Sequence, residues 1–335
     1  MSTIKLLFVG LLVAWLGNST GGAVVSLTAN GAPGVAVAAV GTGGADNPAQ
    51  APPVNTCVSI PPLAFFVERI GGTRIAVEVV LPPGASPAAY DPTPQQMARL
   101  TEAQLFVGIG VPMERQLLPH VRRTLAAAAI VEAQAGIPLR KNPAAEVATG
   151  HEDPQVSAKA GVGNVGHHDH SGEFDPHVWL SPRLAVLIAR NVCAGLTRND
   201  PASAHVYQHN LEQLEAELAA LDREIGQILA PVAGRDLIVF HPAFGYLAAD
   251  YGLHQVAIEQ GGLAPSPRHL AEILDRIRAR GETAIFLQPQ FSQASAQAVA
   301  EAAGVRLVVL DPLRRDYLAN LREMARTIQQ ALTTE

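Results

Sequence analysis

Leu211, Leu214, Leu218, Leu221, Ile225 and Ile228 recur at alternating steps of three and four residues, in a stretch opened by Asp200-Pro201 and closed near Pro231. A helix turns once every 3.6 residues, so this spacing lays all six side chains along one stripe that needs an apolar partner over its whole length. From Pro201 to Leu229 such a helix runs roughly 40 Å at 1.5 Å per residue. That exceeds an ordinary crossover helix and suffices to run along a two-domain body. At 335 residues the chain has the length for two domains.

The flanking pattern says what those domains are. Before the stripe, apolar strand-like runs at 56–60, 75–80, 105–109 and 126–132 alternate with helical patterns at 63–70, 93–101 and 111–118. Thr93-Pro94 and Ser181-Pro182 each read as an N-cap followed by Pro in the first turn, the second opening a helix to 196. After the stripe, strands at 236–240, 255–258, 283–287 and 305–310 alternate with helices at 243–251, 266–280, 292–303 and 317–332. This rhythm predicts an α/β fold with parallel sheets covered by helices. We read two lobes, residues 54–199 and 232–335, joined by one long helix over 200–231.

The N-terminal region reads differently. Lys5 precedes an apolar run over 6–16, too short for a stable membrane span but suited to a signal-peptide core, and the small residues Gly17, Ser19, Gly21 and Ala23 follow. We expect a signal peptide over 1–22, a flexible Gly/Ala/Pro spacer over 23–53, and export to the periplasm or another extracytoplasmic space. An uncleaved anchor is the other reading. No cysteine follows closely enough to indicate a lipid anchor. With 24 Lys+Arg against 30 Asp+Glu, a net charge of −6 and no basic run, the chain lacks a nucleic-acid surface. Cys57 and Cys193 are either paired or two buried thiols, and they do not have metal-ligand spacing.

Histidine is unevenly placed. Of 11 histidines, His151, His167, His168, His170 and His177 fall in one short stretch. Residues 141–172 are rich in Gly, polar residues and His without periodicity, which predicts a long mobile loop. Clustered neutral imidazoles capture Zn²⁺ weakly near neutral pH, so auxiliary metal capture by His151, His167, His168 and His170 is expected. His241 and Asp311 each directly follow a predicted strand and precede a proline. That is the rim position where ligands bind in open α/β sheets. His120, His205, His209, His254 and His269 read as exposed or capping, and Arg268 as a surface ion-pair residue.

The motifs PPGASP…YDPTP, DPHVWLSP, VFHPAFGY, PSPRHL, FLQPQFS and VLDPL carry a resemblance over nearly everything from Val54 onward. The chain resembles the substrate-binding receptors of bacterial ABC importers for zinc and manganese. The resemblance implies two α/β lobes tied by a rigid helix, a metal cleft between them, and delivery to a permease and its ATPase by a monomer that meets the membrane only there. It implies His177, His241 and Asp311 as metal ligands. The fourth family ligand, a histidine in PPGASPH-x-Y, is replaced here by Ala88. Water or one of His167, His168 and His170 is left to fill that position; Tyr90 and Asp91 lie beside it but are not ligands in the family. Two imidazoles with one carboxylate suit Zn²⁺ better than Mn²⁺, for which family members usually carry Glu at the position of His241. Trp179 is expected to wall the cleft, and Phe244 and Tyr246 to pack under His241.

We therefore expect no enzyme but a receptor that binds and releases. A metal chaperone or adhesin on the same fold is the alternative. A zinc hydrolase using the open coordination position lacks an H-E-x-x-H helix, a nucleophile elbow and an evident base in these motifs.

Overall fold

The computed structural model describes residues 52–141, 174–259 and 265–333. The expected signal peptide, nearly all of the spacer, and His151, His167, His168 and His170 lie outside the described residues.

In chain order the elements are β1 (Val54–Val58), α1 (Pro61–Gly71), β2 (Ile75–Val79), α2 (Pro94–Leu100), β3 (Leu105–Gly108), α3 (Glu114–Thr124) and β4 (Ile130–Glu132). Then come α4 (Pro182–Asn199), α5 (Ala204–Leu229), β5 (Asp236–Val239), α6 (Gly245–Asp250) and β6 (His254–Ala257). The chain continues with α7 (Pro267–Arg280), β7 (Ala284–Leu287), α8 (Gln293–Ala303), β8 (Arg306–Val309) and α9 (Tyr317–Leu332). The strands form two four-stranded sheets, β2-β1-β3-β4 and β6-β5-β7-β8, and every pairing in them is parallel. The α/β class read from the rhythm is therefore what the chain adopts, and both lobes use one strand order.

Local chemistry sets the helix ends. Thr93 caps α2 through a reciprocal box with Gln96, Ser181 accepts from Leu184 N to start α4, and Ser266 and Ser292 do the same for α7 and α8. Gly281 and Gly304 close α7 and α8 in the left-handed conformation at φ 64° and 70°.

The stripe of α5 is buried at Leu211, Leu214, Leu218, Leu221 and Ile225, with Tyr207 and Leu229 extending it at either end. It contacts α1, α4 and α9. Short 3₁₀ turns at Pro201–Ser203 and Ala230–Val232 bracket it. Its outer face is held by Arg190–Glu215 at 2.7 Å, Arg183–Asp222 at 2.9 Å and Arg322–Glu224 at 2.7 Å. The apolar core is continuous from the first sheet through α5 to the inner residues Leu237, Val239 and Phe286 of the second. A separate cluster of Ile238, Ile258, Ile273, Ile277 and Ile285 fills the outer face of the second sheet.

Two elements differ from expectation. The helix read over 111–118 begins instead at Glu114 and runs through Pro119 to Thr124. Glu114 turns its buried carboxylate back to accept from the amides of Ile109 and Gly110, both at 2.8 Å, which shapes the preceding turn. The strand read over 126–132 is a 3₁₀ turn at Ala127–Ala129 followed by only three extended residues, since alanines have little strand preference. Cys57 on β1 and Cys193 in α4 are both free and buried, which is the second of the two readings left open for them.

Candidate metal centre

The carboxyl ends of the strands in the second lobe place five polar side chains on one rim. His241 follows β5, Glu259 follows β6, Gln288 and Gln290 follow β7, and Asp311 follows β8. The first lobe contributes His177, carried on the segment Phe174–Trp179 that leads through a 3₁₀ turn at Val178–Leu180 into α4.

His177 and His241 meet with ring centroids 5.3 Å apart, nearly perpendicular at 75°. Both are mostly buried, their side chains 13% and 17% exposed. Each has its Nδ1 against a carboxylate oxygen: His177 against Asp175 Oδ1 at 2.7 Å, His241 against Glu259 Oε1 at 2.6 Å. An ionised carboxylate only accepts, so each Nδ1 is the donor, and in a neutral ring of this tautomer Nε2 is the atom with the lone pair. Asp175 Oδ1 also accepts from the His177 backbone N–H at 3.0 Å. Burial pushes the His241 imidazole below its ordinary value, and the facing His177 adds to this against the pull of Glu259. Its ring is thereby kept neutral, the state that ligates. Phe291 stacks on His241 at 4.7 Å, a ring contact beyond the packing expected of Phe244 and Tyr246.

Tyr246 works across the lobes instead. Its hydroxyl donates to the Asp175 carbonyl and accepts from the Arg140 amide, both at 2.9 Å. Trp179 is fully buried, and its indole N–H donates to the carbonyl of Pro312 at 2.9 Å. The residue after Asp311 is thus tied to the segment bearing His177. On α6, a Cβ at Gly245 would stand 3.0 Å from Asp175 Oδ2, so the second lobe seats that carboxylate through a bare glycine.

Asp311 is half-buried. Its Oδ1 accepts from Gln290 Nε2 at 2.9 Å and from the Leu313 amide at 3.0 Å, and Asn320 Nδ2 donates to its carbonyl at 2.8 Å. Among the described residues, no three His, Cys, Asp or Glu side chains gather as a ready cage for an ion. The structure brings His177 and His241 together and holds Asp311 outside that pair. Ala88 is exposed in the loop after β2, while Tyr90 and Asp91 are engaged by Gln96 and Gln116. Of the other described histidines, His209 contacts Gln213 and His269 the Ala257 carbonyl, while His205 and His254 are exposed, and Arg268 pairs with Glu272 at 3.0 Å.

Residues 57–331 match the model of the family described as zinc-uptake complex component A, periplasmic. The chain belongs to that family. It is 30% identical over 264 residues to the zinc-binding lipoprotein AdcA of Streptococcus pneumoniae serotype 4, covering 78% of this chain and 50% of AdcA, so it spans about half the length of that relative. It is 30% identical over 279 residues to the high-affinity zinc uptake system protein ZnuA of Yersinia pestis, covering 80% of this chain and 85% of that one. A crystal structure of ZnuA matches with a TM-score of 0.72 and 33% identity, over 84% of this chain and all of that one.

The carboxylates behind the rings escaped the sequence reading. Asp175 had a local signal, two residues before His177. Glu259 had none, because only the pairing of β5 with β6 brings it to His241.

Proposed function

We propose that this protein is an extracytoplasmic receptor that captures one Zn²⁺ between its lobes and surrenders it to the permease of an ABC importer. The observation that carries this reading is the pair of imidazoles whose Nδ1 atoms are both held by carboxylates. A metal at 2.0–2.1 Å from a ring nitrogen lies about 3 Å from the ring centroid, and two rings at a tetrahedral angle then stand about 5 Å apart. The observed 5.3 Å agrees with that spacing. Asp311 joins as the third ligand when the ion arrives, from a rim already hydrogen-bonded to the His177 segment through Pro312 and Trp179. Water takes the fourth position, which Ala88 leaves without a side-chain donor. The protein makes and breaks no covalent bond in this role. The printed names of AdcA and ZnuA support zinc as the cargo, and no helix among the described residues is long and apolar enough to cross a membrane.

A zinc titration of the wild type beside Ala88→His tests the reading. The wild type should bind one ion, and the added imidazole should tighten binding about tenfold, a step of ~1.4 kcal/mol. A wild type that takes up no zinc would refute the proposal, whatever the variant does.

A further inference from the structure

The turn after β7, Gln288-Pro289-Gln290, holds both candidate ligands of the second lobe. The Gln288 side chain is buried and pairs with the backbone of His241, donating from Nε2 to its carbonyl at 2.7 Å and accepting from its amide at 3.3 Å. It acts as one rung of a strand ladder made by a side chain, and fixes where the imidazole starts. Gln290, two residues on, donates from Nε2 to Asp311 Oδ1 at 2.9 Å. The Leu313 amide donates to the same oxygen at 3.0 Å. Two donors thus occupy one oxygen, and among the described residues Oδ2 has no hydrogen-bond partner. The polarity is fixed by chemistry: a carboxylate offers no proton, so the amide must present its NH₂ face.

This asymmetry has a consequence for metal choice. Zn²⁺ is satisfied by four ligands in a tetrahedron, with a carboxylate bound through one oxygen. Mn²⁺ is harder and suits oxygen-rich, octahedral surroundings, which a carboxylate serves well by binding through both oxygens. Resting on the receptor reading above, we propose that Gln290 is a specificity-determining residue that keeps Asp311 monodentate by taking the lone pair of Oδ1 that the Leu313 amide leaves free, and so biases the site towards Zn²⁺ over Mn²⁺. Gln290 does not touch the ion. It acts through Asp311.

The test compares the wild type with Gln290→Met, which keeps length and removes the donor, and with Gln290→Leu as a second shape should the first fold poorly. Zinc and manganese affinities are measured by competition, and cobalt(II) is bound as a spectroscopic reporter of coordination number. The wild type should give the intense visible bands of tetrahedral cobalt. Both variants should weaken those bands towards five- or six-coordinate cobalt and lower the zinc-over-manganese preference about tenfold, chiefly by gaining manganese. An unchanged cobalt spectrum and an unchanged preference in both variants would overturn the role of Gln290 alone. Asp311→Ala separates the two levels: unaltered zinc affinity there removes Asp311 from the site and the inference with it. A purely structural role for Gln290 would lower both affinities together and leave the spectrum tetrahedral, which also overturns the proposal.

Discussion

The two lobes share one strand order yet support their halves of the site in different ways. In the second lobe, the groups that touch His241 and Asp311 are native to the lobe apart from His177 itself: Glu259, Gln288 and Phe291 around the histidine, and Gln290, Leu313 and Asn320 around the aspartate, with Trp179 reaching only the neighbouring Pro312 carbonyl. In the first lobe, His177 depends on Asp175, whose carbonyl is held by Tyr246 of the other lobe, while Trp179 leans on Pro312 and has its own carbonyl held by Tyr317. One half-site is self-supporting and the other is borrowed. On the receptor reading proposed above, separation of the lobes is expected to loosen His177 more than the His241–Asp311 rim, where the bond across the lobes runs from Trp179 to the Pro312 carbonyl.

The largest effects should come from removing either ring. His177→Ala and His241→Ala should each weaken zinc binding by about a hundredfold or more, roughly 3 kcal/mol. Competition titrations read this directly. If either alanine variant retains full affinity, that ring is not a ligand and the comparison of half-sites collapses.

Next come the carboxylates behind the rings, whose loss typically costs ten- to a hundredfold in metal affinity. Asp175→Asn should be the more damaging of the two. Asp175 Oδ1 holds both the ring and the backbone of His177, whereas the backbone of His241 is held independently by Gln288 when Glu259→Gln removes its ring partner. An equal loss in the two variants would argue against a difference in support between the lobes.

The same contrast explains what was legible in the sequence. The stripe from Leu211 to Ile225 predicts its helix because each of those side chains is buried on one face, and period alone suffices for that. His241 and Asp311 stand out as strand-end residues before proline, and the motifs named them together with His177. Glu259, Gln288 and Gln290 stayed silent because their partners lie 18, 47 and 21 residues away, across strands whose order in a sheet no local pattern encodes. Helix α3 differs from the pattern read over 111–118 because the turn that sets its start depends on the buried carboxylate of Glu114, which no local period marks, and the helix continues through Pro119.

A smaller effect tests the borrowed half alone. Tyr246→Phe deletes the hydroxyl that joins the Arg140 amide to the Asp175 carbonyl while keeping the ring. Losing the partner of buried backbone groups costs on the order of 1–3 kcal/mol, and access of water to a separating cleft should place this case near ~1 kcal/mol. Denaturant unfolding of the metal-free protein should show that loss, with zinc dissociating a few-fold faster. Faster zinc release without any change in unfolding would show that the bridge holds His177 but not the lobes.

The smallest effect concerns pH and belongs to the self-supporting half. Burial holds the His241 imidazole below its ordinary value of 6.5. The unfolded chain therefore binds a proton at this residue more readily than the folded protein does. Stability from the neutral ring is fully present above the unfolded value and is lost as the pH falls below it towards the folded one. The slope cannot exceed one proton, about 1.4 kcal/mol per pH unit. Unfolding midpoints of the metal-free protein at pH 8 and pH 5.5 should thus converge more closely in His241→Gln than in the wild type. Glu259→Gln should act oppositely, since it removes the carboxylate that pulls the imidazole upward and so deepens the loss on acidification. Identical pH dependence in all three proteins would mean that His241 reaches solvent freely in the metal-free state, and that the second-lobe rim is less enclosed than its contacts with Phe291 and Glu259 indicate.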